Sequence, residues 1–411
     1  MQKDGYELGA ATAASGLNET ATARSWVGVA SIALGVFVVV TAEQLPIGLL
    51  TSVSGDLGVS EGQVGLMVTL PGFVAAVAAP LIPLAIGSLD RRIALLGLML
   101  LMAGASVLSA FAPDYTTLLA SRFIVGLSIG GFWAIAGSLA SRLVPAASVP
   151  RATSLIFGGV AAASVLGIPV GTLIGEYAGW RIAFVALAVG SALVVAGMLT
   201  AIPRLPPERA IGLTILATQV KSRAVASGLL VTLLLVTAQF ATYTYISPIA
   251  QSLMGIGSML VGPLLLGYGI AGVLGNFIIG MRATINIATT MLMISLALAI
   301  LMIGIAVIAR NEVAGILIVL AWGFVYGGVS VSLQTWMLRA APEAAEAATS
   351  LWVCVFNFSI ALGAFVGGAA VDKIGLMSVS GIGGGLFVLS AMVAAGSRKA
   401  LEHHPSSIIK L

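Results

Sequence analysis

The sequence predicts an all-α integral membrane protein: twelve transmembrane helices arranged as two pseudo-symmetric six-helix bundles. Three observations predict it. The 411-residue chain is 59% hydrophobic and only 8% charged, with a mean hydropathy of +1.11, where a soluble chain carries about 25% charged residues. Such a chain cannot cover itself with polar surface, so most of its solvent is lipid. Apolar runs long enough to cross a bilayer recur along the chain, and its second half repeats its first.

In chain order, residues 1–25 form a polar tail. It holds no apolar stretch ending in a small-residue cleavage site, so the first span is expected to act as the insertion signal. Apolar runs of about 20 residues follow, at 26–50, 62–87, 93–112, 115–140, 152–175 and 181–202. Six more lie at 224–248, 258–280, 286–308, 313–338, 347–370 and 375–397. Lipid offers no hydrogen bonds, so each run must close its own backbone bonds as a helix. The alternating pattern of a membrane barrel is absent. The one long connection, 203–223, holds Pro203, Pro206, Pro207, Arg204, Arg209, Lys221 and Arg223. It divides an N-terminal bundle, 26–202, from a C-terminal bundle, 224–397, and residues 398–411 form a second tail.

The 19 Lys and Arg set the orientation. Fifteen fall on the side of the tails and of the 203–223 linker. Arg181, Arg310 and Lys373 fall on the other side, and Arg122 lies inside a span. Both termini are therefore expected in the cytoplasm. The net charge of +4 reflects this anchoring. No basic stripe suggests nucleic acid as a partner.

The repeat is specific. Val40-Thr41-Ala42-Glu43 in the first span matches Val236-Thr237-Ala238-Gln239 in the seventh, an offset of 196 (237 − 41). At that offset Thr153-Ser154-Leu155, Gly167, Gly171, Glu176 and Gly179 match Thr349-Ser350-Leu351, Gly363, Gly367, Asp372 and Gly375. Gly126, Gly130, Gly131, Arg142 and Pro145 match Gly323, Gly327, Gly328, Arg339 and Pro342, one residue further along. Repeats of six spans share one polarity, so an axis along the membrane normal relates them, with a cavity between. The glycines let helices approach or slide, or serve packing alone. Pro169 removes a backbone bond and is expected to bend the fifth span. Its counterpart Phe365 does not, which makes the bend particular to the first half.

With these motifs the chain resembles the major facilitator superfamily, in its twelve-span drug:proton antiporter branch. Within that branch it is most similar to bacterial exporters of purine ribonucleosides and of sugars. The resemblance covers nearly the whole chain. It rests on "AEQLPIGLL", "LDRRIALL", "SRFIVGLSIGGFWA", "LGIPVG", "TAQFATYTYISP" and "FNFSIALGAFVGG". The loop after the second span stops short of the family's further Gly-Arg pair, and Ile168 separates Gly167 from Pro169. The resemblance implies the major facilitator fold, a bacterial inner-membrane location and transport of a small molecule against protons. A monomer is the expected functional unit.

Glu43 is the one acidic residue placed deep in a span. Its ionised form costs about 2.5–3.5 kcal/mol at mid-membrane, so the acid is a candidate to load and release a proton. The alternative is a structural carboxylate. The resemblance also implies a proton site at Glu43 and links Arg122 to proton transfer. Glu43 and Arg122 either pair or both face the cavity. The repeat replaces Glu43 by Gln239 and leaves Arg122 without a basic partner, so spans one and four are expected to handle the proton. The substrate then falls to Gln239, Tyr243, Tyr245, Asn276, Gln334, Trp336 and Asn357, with Trp133 opposite. Amides and aromatic faces suit an uncharged, polar, ring-shaped solute; ordinary helix packing is the alternative for each. The resemblance assigns Asp90, Arg91 and Arg92 to a cytoplasmic gate, with Asp90 meeting the positive end of span eleven. Topology anchoring is the alternative. Gly167, Pro169 and Gly171 join the gating set.

No cofactor or metal is expected. Cys354 has no His or Cys neighbours, and His403 and His404 lie in the tail. No HExxH and no nucleotide-binding Gly-Lys-Ser/Thr loop is present, which argues against an enzyme. An uncoupled facilitator, an importer and a non-transporting membrane sensor are the competing functions.

Overall fold

The computed structural model describes residues 22–87, 89–136, 139–206, 219–283, 285–308 and 311–397. The tail before residue 22, Arg209 within the linker, Arg310, and the second tail with His403 and His404 lie outside the described residues. Among the described residues, twelve helices are long and apolar enough to cross a membrane. They are α1 (Ala23–Leu57), α2 (Glu61–Ile82), α3 (Arg91–Ala110), α4 (Tyr115–Ala136), α5 (Ala146–Ala178) and α6 (Trp180–Ala201). The second six are α7 (Arg223–Tyr243), α8 (Ser258–Ala283), α9 (Ile287–Val307), α10 (Glu312–Ala340), α11 (Ala347–Lys373) and α12 (Ser378–Gly396). Each predicted span coincides with one of them.

Polar residues at the loop edges start these helices by supplying acceptors to unsatisfied backbone N–H groups. Thr22 accepts from the Ser25 amide at the start of α1. Ser60 and Gln63 form a capping box at α2. Asp90 caps α3, and Asn311 caps α10. Gly58 ends α1 in the left-handed conformation, at φ 64°.

The helices pack in a pattern that repeats after six. α2 packs on α4, α3 on α6, and α1 on α5 and α6; α8 packs on α10, α9 on α12, and α7 on α11 and α12. Glycines set the closest of these approaches. Gly126 and Gly130 lie against the backbone oxygens of Pro71 and Ala75, as Gly323 and Gly327 lie against those of Tyr268 and Gly272. Gly167 and Gly171 abut Thr41 and Leu45, as Gly363 and Gly367 abut the Thr237 and Ala241 oxygens. The sequence separation of each pair is the same in both halves. Sequence symmetry is thus carried by close helix approaches at glycines, most of them onto a backbone oxygen.

Two seams join the halves, α2 against α11 and α5 against α8. On the first, Gly72 meets Ala361, and Phe73 and Phe358 pack edge to face at 5.5 Å. Cys354 is half-buried there, 3.9 Å from the Ala76 carbonyl. On the second, Gly262 meets Leu173 and Gly269 meets the Ser164 carbonyl. α5 carries a π-helical turn over Ala163–Gly167, followed by Ile168 and then Pro169, while α11 runs as a regular helix to Lys373. The π-helical turn of α5 has no counterpart in α11.

Candidate functional site

Two polar clusters lie at matching places in the halves, one on α1, α2 and α4, the other on α7, α8 and α10. In the first, α1 carries Glu43, 5% exposed and the only buried carboxylate among the described residues. Its Oε1 has no hydrogen-bond partner there. Arg122 on α4 is 1% exposed. Its Nε donates to the Met67 carbonyl at 2.9 Å, and its Nη2 to the Ala42 carbonyl at 2.8 Å, with a longer contact of 3.4 Å to the Glu43 carbonyl. The expected ion pair does not form, and both groups are almost wholly buried. The guanidinium sits on the main chain of α1 and α2, and the carboxylate next to it is left free.

In the second cluster, fully buried Gln239 replaces the acid. Its Nε2 donates to the Tyr268 hydroxyl at 2.8 Å, and its Oε1 accepts from Trp322 Nε1 at 2.7 Å. Tyr243 stacks on Tyr268 at 4.7 Å between centroids, and both meet Trp322 edge-on at 5.8 and 5.9 Å. The Tyr326 hydroxyl, one turn beyond Trp322 on α10, is buried without a partner. Tyr268, Trp322 and Tyr326 were not among the residues expected from sequence.

The other expected substrate residues have partners or surroundings of their own. Trp336 is fully buried and donates to the Ala224 carbonyl at 2.9 Å, which fastens α10 to α7. Tyr245 lies near the loop at the end of α7, where its hydroxyl donates to the Ala364 carbonyl at 3.0 Å and fills the space left by Gly65. Asn357 is half-buried and donates to Val353 on its own helix. Asn276 and Gln334 are exposed. Trp133 stacks on Phe157 at 6.1 Å. Of the expected substrate residues, the structure joins Gln239 and Tyr243 in one cluster through Tyr268 and Trp322.

Asp90 departs from expectation. Rather than meeting α11, it accepts from the Arg92 amide at 2.8 Å and the Leu205 amide at 2.9 Å. Arg91 N–H donates back to the Leu205 carbonyl at 2.8 Å, and Arg92 Nη2 to Leu199 at 2.6 Å. Two nearby backbone donors outcompete a distant helix end. Desolvation raises the Asp90 carboxyl, but these two bonds, with the charges of Arg204 and Arg92, outweigh it and hold the group below its usual range. The loop after α2 is thereby tied to the segment after α6, within the first half. Gly167 and Gly171 line the α5–α1 contact, with buried Pro169 between them.

At the opposite face, where the α1–α2 and α11–α12 loops lie, polar contacts close the halves together. The Asp372 carboxylate accepts from Ser60 Oγ at 2.8 Å and from the Gly62 amide at 3.1 Å, at the start of α2. Thr51 and Ser247 hydroxyls meet at 3.2 Å, and Gln251 Nε2 donates to Ser247 at 3.0 Å.

A family model described as Major Facilitator Superfamily matches residues 32–364. The chain belongs to the major facilitator superfamily. It is a transporter. It is 34% identical over 375 residues to the purine ribonucleoside efflux pumps NepI of Salmonella paratyphi A and of Salmonella typhimurium, a match spanning 90% of this chain and 94% of each of theirs. Among solved structures it is similar to a bacterial homologue of the human lysosomal transporter Spinster in an inward-facing, unoccupied conformation. That match has a TM-score of 0.68 at 14% identity, covering 93% of this chain and 97% of the other. It is also similar to the human organic anion transporter MFSD10, with a TM-score of 0.67 at 18% identity, covering 90% and 99%. These two likenesses establish the fold.

Proposed function

We propose that this chain exports a purine ribonucleoside from a bacterial cytoplasm in exchange for protons, by alternating access. The observation that carries this reading is Glu43, a buried acid with an unpartnered oxygen, whose neighbouring arginine is engaged elsewhere. A carboxylate so placed is costly when charged and is released from that cost by a proton. One proton moving through ~100 mV supplies about 2.3 kcal/mol, enough for roughly a fifty-fold solute gradient. The likeness to NepI supports the substrate class. So does the second cluster, where an amide and stacked aromatic rings match the face and edge of a base.

The bundles 26–202 and 224–397 are the moving units. On the Lys and Arg count the Asp90 face is cytoplasmic and the Asp372 face, where Ser60 and Gly62 meet Asp372, is external. Protein reconstituted in liposomes with an acidic lumen should accumulate radiolabelled inosine above its outside concentration, and a protonophore should abolish this. Accumulation of a sugar in place of inosine would move the substrate class. Accumulation of inosine that ignores the imposed pH difference would overturn the coupling.

A further inference from the structure

We infer that Arg122 is a positioning residue that replaces two hydrogen bonds broken by proline, one at Pro46 and one at Pro71, and so fixes the backbone on which Glu43 stands. A proline inside a helix has no N–H, and the carbonyl four residues before it loses its partner. Pro46 lies within α1, and the residue four before it is Ala42. Pro71 lies within the helix Glu61–Ile86, and the residue four before it is Met67. Ala42 and Met67 offer the two carbonyls that the guanidinium takes, at 2.8 and 2.9 Å. In a buried membrane interior an unsatisfied carbonyl cannot turn to water, and one planar fork of donors serves both helices at once.

The second half supplies the comparison. The repeat offsets carry Pro46 to Thr242 and Pro71 to Tyr268, and they carry Arg122 to Ile318 or Val319. The two prolines and the arginine are present together in one half and absent together in the other. Each half of the chain thus keeps its carbonyls satisfied by its own means. The clamp also accounts for the unpaired Glu43 carboxylate, since the cation beside it is held by the main chain. This last consequence rests on the proposed proton role, whereas the clamp itself does not.

The test compares Arg122→Met, Arg122→Lys and a triple variant, Arg122→Met with Pro46→Ala and Pro71→Ala, which restores N–H donors to Ala42 and Met67. Thermal melting of purified protein in detergent is the first readout. The pH dependence of inosine exchange in liposomes is the second. Arg122→Met should melt several degrees lower and exchange about tenfold more slowly, the loss expected from one charge-assisted bond. Arg122→Lys should recover little. The triple variant should recover the melting temperature and the wild-type pH profile. Should Arg122→Met fail to fold, recovery of folded protein in the triple variant carries the same meaning. A triple variant as unstable as Arg122→Met, or one whose pH profile stays displaced, overturns the inference and returns Arg122 to a direct electrostatic role. If wild-type protein does not exchange inosine, the proposed substrate fails, while melting still decides the clamp.

Discussion

Replacing Gly327 by alanine tests the contact that brings α8 and α10 together. A Cβ at this position would lie 1.9 Å from the Gly272 carbonyl oxygen and 2.6 Å from its carbon. These are backbone atoms, so no rotamer relieves the clash. Ordinary contact needs about 3.5 Å, which parts the helices by about 1.6 Å. That gap strips dispersion contacts from both helices and strains the α10 backbone. Overpacking of this kind costs about 1–3 kcal/mol. Gly97 on α3 is the control, because a Cβ there meets nothing within 4 Å. Alanine at 97 should be neutral or stabilising, by up to about 1 kcal/mol, through the helix propensity of alanine over glycine. Thermal melting of the two purified variants in the same detergent measures both effects. Gly327→Ala should melt clearly below wild type, and Gly97→Ala at or above it. Equal melting temperatures for the two would refute the claim that these glycines act through close backbone approach.

Gln239→Leu strips a partner from both Trp322 and Tyr268, at about 1–3 kcal/mol for each polar group left unpaired; tryptophan fluorescence and melting should show a loosened aromatic cluster. Asp90 has a depressed carboxyl, so its contribution to stability is present above about pH 4 and is lost as pH falls through its folded value. Asp90→Asn should therefore lower the melting temperature equally at about pH 6 and pH 8, and the difference should vanish only in stronger acid. A deficit that changes between those two values would contradict the assignment of its backbone partners.

The twelve spans were legible because lipid imposes one rule, a helix-length apolar run, and every predicted span satisfies it. The repeat was legible because glycines at backbone contacts tolerate no replacement, so Gly323 and Gly327 kept the spacing of Gly126 and Gly130. The partners of buried polar groups were less legible. Tyr268 and Trp322 sit inside apolar runs, where an aromatic residue signals packing as readily as a site, and only their meeting with Gln239 in space distinguishes them. Arg122, a buried arginine beside a buried acid, suggests an ion pair, charge against charge. The signal for its carbonyl partners was present in Pro46 and Pro71, each four residues past an acceptor. Asp90 was expected at a distant helix end, but two local amides hold it, and their approach depends on how the segment after α6 returns to the loop. Tyr245 and Trp336 read as binding residues by type, while burial and backbone hydrogen bonds use them to join helices.

The measurement that tests the proposed coupling most directly is transport by Glu43→Gln protein in liposomes. An amide keeps the shape of the acid and removes its proton. The account predicts that inosine still exchanges across the membrane when equal on both sides, while an acidic lumen no longer drives its accumulation. Retained pH-driven accumulation by the Glu43→Gln protein would contradict it.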